Sequence, residues 1–143
     1  MFKWVGFFRE LYDYERDAPS LRDAVRASAH PDEPRIVGYL KAGVGLAGVG
    51  KYVGDALDPN SRFSVSPSLL TDGAWLWRAD LPYYVATYHV ELPDEFVAHM
   101  RGNGWAVPSL TEAEVSRLGR QLYRDMGGQD DEPPAVPGPP APR

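Results

Sequence analysis

The sequence predicts an α+β fold, with helices packed on a small antiparallel sheet that contains a β-hairpin over residues 68–77. Three observations carry this. Ser68-Leu-Leu-Thr71 and Ala74-Trp-Leu-Trp77 flank Asp72-Gly73, a pair suited to a two-residue type I′ turn. On both sides of that hairpin, apolar residues recur at helical spacing between helix breakers. The chain has 143 residues and a 43% hydrophobic share, enough for one core and too few residues for two ordinary domains.

The elements follow in chain order. Trp4, Phe7, Phe8, Leu11 and Tyr12 predict a helix over 4–14. Leu21, Ala24, Val25 and Ser28 predict a second over 19–29, with Asp17 as its cap. Pro31 ends it, because the proline ring disfavours helix at the residue before it. A third begins at Asp32 and carries Pro34 in its first turn, where a missing N–H costs nothing. Its face is Ile36, Val37 and Leu40, and Gly43 stops it. The glycines at 43, 45, 48, 50 and 54 argue against helix and for an irregular strand or loop, then an extended piece near 51–55. Within the hairpin, Trp75 and Trp77 share one face and Leu76 takes the other. Asp80 is placed to cap a helix with a stripe of Leu81, Tyr84, Val85 and Tyr88. Pro93, Asp94 and Glu95 open the next, on Phe96, Val97 and Met100, and Gly102 closes it. Thr111 and Glu114 spell a capping box, with Leu110 and Val115 placed as a hydrophobic staple, for a last helix to about Met126.

The expected organisation is one globular domain over 1–127 and a disordered proline-rich tail over 128–143. Six of the last eleven residues are Pro, which withholds backbone donors and favours polyproline II. Two PxxP spellings, Pro134 to Pro137 and Pro137 to Pro140, make the tail an alternative seat of function as a polyproline ligand. The chain has no cysteine, which excludes disulfides, thiol catalysis and cysteine metal sites and fits a reducing compartment. Only five uncharged residues separate Lys3 from Arg9, shorter than a signal peptide or a membrane span needs. The expectation is a cytoplasmic protein. The net charge of −5 leaves an acidic body, which disfavours nucleic acid and permits a basic protein partner.

The spellings of catalytic or cofactor chemistry are incomplete. Gly45 to Lys51 matches a phosphate-binding loop, but Tyr52 stands where Ser or Thr holds magnesium, and a helix precedes it where a strand belongs. Gly43, Gly45 and Gly48 match a dinucleotide fingerprint without its strand and helix. The reading is a bulged strand of small residues, with no cofactor. Glu95 and His99 sit four apart on one helix and read as a surface pair; with His30 and His89 they do not make a metal site. No serine lies in a nucleophile elbow. No catalytic residue is assigned.

The aromatic cluster carries the site expectation. Trp75, Trp77, Tyr83, Tyr84 and Tyr88 fall within fourteen residues. They suit a core where hairpin and helix meet. They also suit a protein-binding surface made of Trp75, Trp77 and Tyr83 and rimmed by Arg78, Asp80 and His89. That surface gives the leading function, a non-enzymatic protein-binding module. The alternative is a small enzyme or small-molecule-binding protein whose pocket beside the 72–89 unit uses Asp72, Arg78, Asp80 and His89.

The run from Leu70 to Met100 resembles a family of small uncharacterised bacterial proteins. In these, a Thr-Asp-Gly hairpin (here Thr71 to Gly73) precedes a Trp-x-Trp strand (Trp75, Trp77), an Asp-Leu-x-Tyr-Tyr helix (Asp80 to Tyr84) and a Leu-Pro-x-Glu-Phe helix (Leu92 to Phe96). Tyr39, Leu40 and Asp55 also fit. The likeness covers residues 35–105, and the glycine-rich stretch departs from it. It brings no catalytic residue. It implies an immunity-like role, because some such proteins resemble immunity-type partners of secreted toxins.

Overall fold

The computed structural model describes residues 2–11, 18–48 and 51–125. Among these residues, four strands, β1 (Lys3–Trp4), β2 (Val44–Ala47), β3 (Leu69–Thr71) and β4 (Trp75–Arg78), form one sheet in the order β1-β4-β3-β2. Five helices among the described residues accompany it: α1 (Leu21–Ala24), α2 (Glu33–Lys41), α3 (Leu81–Tyr88), α4 (Asp94–Gly102) and α5 (Glu112–Asp125). The class is α+β. The sheet is mixed, because β1 runs parallel to β4 while the other pairs are antiparallel.

Strand alternation sorts the core onto two sides of the sheet. Trp75 and Trp77 point into a large cluster with Leu21, Ile36, Tyr39, Leu40, Leu81, Tyr84, Phe96 and Met100, which brings α1 to α4 onto that face. Leu76 and Leu69 point the other way, to Phe2, Leu46, Leu118 and Leu122, which places α5 on the second face. All four β4 residues are therefore buried.

The helices expected at α2 to α5 form. Thr111 Oγ1 accepts from the Glu114 N–H at 3.1 Å and Glu114 Oε1 accepts from the Thr111 N–H at 2.9 Å, the two halves of the capping box. Leu110 and Val115 both pack on the second cluster. The glycine-rich stretch yields β2, whose register shifts between Gly45 and Ala47, and Val53 forms a bridge with Val65. Gly43 has a packing reason: a Cβ there would meet Trp77 Cζ2 at 2.7 Å and Leu70 Cβ at 2.9 Å.

Other expectations are corrected. Over its described residues, 4–11, the helix expected for 4–14 does not form. Lys3 and Val5 instead donate to Ala74 O and Leu76 O, both at 3.0 Å, satisfying the edge of β4, and the chain then turns at Gly6 (φ +79). Tyr12 to Asp17 lie outside the described residues. The helix over 19–29 shrinks to α1, capped by Ser20, because residues 24–26 pair with the last residue of α3 and the chain after it: Arg26 N–H donates to Tyr88 O at 3.2 Å and Glu91 N–H to Ala24 O at 2.8 Å. The hairpin is not a two-residue turn. Thr71 pairs with Leu76, so four residues connect them. Asp72 Oδ1 holds that loop by accepting from the Ala74 and Trp75 N–H groups at 2.9 and 2.8 Å. Met126 and the tail expected over 128–143 lie outside the described residues.

Candidate functional site

The structure does not bring the six expected binding residues together on one surface. Trp75 and Trp77 are 5% and 0% exposed, so the aromatic pair is core and the expected Trp75–Trp77–Tyr83 surface is corrected. The physical reason is that α4 and α2 cover this face of β4: Phe96 lies 4.7 Å from Trp75 and 5.6 Å from Trp77 between ring centroids. Trp77 Nε1 donates to Leu40 O at 3.0 Å, which satisfies the indole in the interior.

Arg78 and Asp80 are also interior. They form a forked ion pair, Nε to Oδ1 at 3.0 Å and Nη2 to Oδ2 at 2.8 Å, and Arg78 Nη1 donates to Leu11 O at 3.2 Å. Asp80 occupies the N-cap position of α3 but makes no capping bond, because its carboxylate is taken by the guanidinium. The pair ties β4, α3 and the N-terminal segment together.

Tyr83 and Tyr88 serve a different task. Both hydroxyls donate to Asp55 Oδ2, at 2.7 and 2.6 Å, and Asp55 Oδ1 accepts from the Leu57 and Asp58 N–H groups. The Tyr84 hydroxyl accepts from the Ala56 N–H at 2.8 Å. Phe63 stacks on Tyr83 with centroids 3.6 Å apart. Three tyrosines of α3 thus pin the loop over 53–65. Burial works against ionisation of Asp55, but these hydrogen bonds outweigh it and hold its carboxyl below the usual range. Tyr84 is pushed up to about 12, chiefly by burial.

A second network was not anticipated. The sequence suggests a Glu95–His99 pair, but Glu95 bonds Lys3, and His99 Nε2 bonds Asp72 Oδ2 at 2.9 Å. The same oxygen accepts from the Tyr39 hydroxyl at 2.6 Å, and Asn103 Nδ2 donates to that hydroxyl at 2.9 Å. Burial, and then the neighbouring carboxylate, raise the Tyr39 hydroxyl well above its usual range. With Asp72 satisfied by the loop, Tyr39 and His99, the cluster locks the hairpin onto α2 and α4 and lines neither of the two clefts described below.

Among the expected residues, His89 lines a cleft. A cleft of about 350 Å³ opens between residues 26–30, the start of α2, the end of α3 and α4. Its floor is Ile36, Val85, Val90, Leu92 and Val97, all buried members of the main core. Its mouth carries Arg26, His30, Glu33, His89, Glu91 and Asp94. His89 caps α3 in the left-handed region (φ 55, ψ 43), and its Nδ1 bonds Glu33 Oε1 at 2.8 Å. That pair joins the C-terminal end of one helix to the first turn of another, where the backbone dipoles favour a cation and an anion respectively. Arg26 and Glu91 form an ion pair beside it. A wider, more open depression of about 830 Å³ shares Arg26, Glu91, Leu92 and Asp94 with the cleft and extends to Trp4 and Phe7.

Apolar walls with a few convergent polar groups, at this volume, are the properties of a ligand-binding cleft. The sequence reading missed Glu33, which looks only like a first-turn acid of α2, and the apolar floor, whose residues come from four separate segments. Among the described residues, no group of three or more His, Cys, Asp or Glu is placed to hold a metal ion. No helix among them is long and apolar enough to cross a membrane. Comparison with protein-family models, with curated proteins and with solved structures found no match to this chain.

Proposed function

We propose that this chain is a non-enzymatic protein-binding module that seats an apolar side chain of its partner in the cleft between residues 26–30, α2, α3 and α4. The observation that carries the reading is the cleft itself, an apolar floor of about 350 Å³ behind a charged mouth. An apolar anchor in a pocket ringed by polar groups is how most interface energy is concentrated. The reading relocates the binding surface from Trp75 and Trp77, which the core occupies, to the end of α3 at His89. It takes the setting to be the cytoplasm of a bacterium, and the partner to be a protein and not nucleic acid, in keeping with the cysteine-free, acidic sequence. An immunity-like role is its most specific form, in which the partner is a toxin encoded beside this chain.

The test is affinity selection of a random peptide library on the immobilised full-length protein. The expected result is one enriched pattern with a bulky apolar residue, whose binding is lost on Ala29→Trp, a change at the exposed wall of the cleft. No enrichment, or peptides that bind Ala29→Trp equally well, sinks the reading.

A second reading, a small enzyme or small-molecule-binding protein, is favoured by one observation: His89 and Glu33 form a hydrogen-bonded acid–base pair at the cleft mouth. Arg78, Asp80 and Asp72, its other expected groups, are held in the buried networks described above. A fragment screen that yields cleft binders while the peptide selection yields none decides for it.

A further inference from the structure

We infer that the cleft recognises an apolar group carrying a cationic amine or guanidinium, and that His89 gates this recognition by proton uptake. The inference rests on the cleft being the binding site. Five charged or titratable groups other than His89 face the cleft: Arg26 and His30 from the segment before α2, Glu33 from α2, and Glu91 and Asp94 from the segment leading into α4. Arg26 and Glu91 neutralise each other. His30 accepts the Asp32 N–H on Nδ1 at 2.9 Å, which fixes its ring by a local turn. Glu33 and Asp94 are then the net charge of the mouth, and it is negative. The Glu33 side chain is only 13% exposed, so an opposite charge brought to it is poorly screened.

The geometry at His89 sets the gate. An ionised carboxylate only accepts hydrogen bonds, so the 2.8 Å contact with Glu33 Oε1 places the proton of neutral His89 on Nδ1. Nε2 then carries a lone pair. Together with Glu33, it offers two acceptors to an incoming N–H cation. A second proton on His89 removes the Nε2 acceptor, places a positive charge against Glu33 and repels the ligand cation. Affinity for a cationic ligand therefore falls as His89 becomes protonated, while affinity for a neutral apolar ligand of the same size does not.

The test is titration of the isotopically labelled full-length protein with n-hexylammonium and with 1-hexanol, followed by NMR at Val85 and Val97. At a pH where His89 is neutral the amine is expected to bind about fivefold more tightly than the alcohol, and at a pH where His89 is protonated that advantage disappears. Asn tolerates the left-handed backbone of position 89 and takes up no proton, so His89→Asn is expected to show a weaker preference, carried by Glu33, that is the same at both pH values. Glu33→Gln is expected to lose it at both. Equal binding of amine and alcohol at both pH values overturns the inference but leaves the cleft as a binding site. So does a His89→Asn protein that keeps the wild-type pH dependence. If neither compound moves the Val85 and Val97 signals, the cleft reading falls as well.

Discussion

Replacing Asp80 by Asn isolates the buried ion pair from every other role of that position. Asp80 stands at the N-cap of α3 without making a capping bond, and Asn caps as well as Asp, so helix capping is unchanged by the substitution. What changes is the pair. The side chains of Arg78 and Asp80 are 5% and 0% exposed, and water cannot replace the lost carboxylate charge. Leaving a buried guanidinium without its counterion costs roughly 3–5 kcal/mol. Set against a total stability of roughly 5–15 kcal/mol, that is a large fraction. With a urea m-value of about 2 kcal/mol/M, the unfolding midpoint should fall by about 2 M. Circular dichroism and Trp fluorescence during urea unfolding read this directly, since Trp77 precedes Arg78 on β4. The double variant Arg78→Met, Asp80→Leu should be less damaged than Asp80→Asn alone, because it removes both charges together, though it still leaves the Leu11 carbonyl without its guanidinium donor. A loss below about 1 kcal/mol for Asp80→Asn, or a strictly additive mutant cycle, refutes the argument.

Three further outcomes follow from other contacts. The Glu10 carboxylate accepts from the Leu21 N–H, Ser20 Oγ and Arg22 N–H; burial opposes its ionisation, but these bonds outweigh it and lower its pKa from 4.5 to about 2. A depressed folded pKa stabilises above the unfolded value and is lost as pH falls through the folded one. Stability should therefore drop by about 1–2 kcal/mol between pH 4.5 and 2, after discounting for solvent screening, and Glu10→Gln should flatten that part of an acid titration. Gly43→Ala should cost about 1–3 kcal/mol in thermal unfolding, because the new methyl meets Trp77 and Leu70 below contact distance; a neutral result would mean that β2 shifts freely. Tyr88→Phe with Tyr83→Phe should leave global stability less affected than local order, raising amide exchange over residues 53–65 many-fold; unchanged exchange there would show that Asp55 is not what pins the loop.

Much of the architecture was written locally in the sequence. Pro34 after Asp32, Asp80 before Leu81, the acids after Pro93 and the Thr111–Glu114 box mark where α2 to α5 begin, since such a residue acts within one turn of its own position. Alternation along Trp75, Leu76 and Trp77 likewise fixed which side chains go to opposite faces of β4, because a strand has period two whatever covers it. It did not say whether the Trp75–Trp77 face meets water or another layer. That depended on α2 and α4 arriving over it, and the answer turned a possible binding surface into the centre of the core.

Tertiary structure alone decided the rest, wherever a backbone or a carboxylate found a better partner far along the chain. The helical spacing of Trp4, Phe7 and Phe8 lost to the open edge of β4, and the pattern after Leu21 lost to hydrogen bonds with residues 88–91. Asp80 gave up its cap to Arg78, and His99 left Glu95 for Asp72. The cleft belongs to the same class. His89 was visible in the sequence, but Glu33, its partner, stands 56 residues away on another helix, and no local rule brings them together. The α+β class and the helix starts are properties of short windows; the candidate site is a property of how those windows pack.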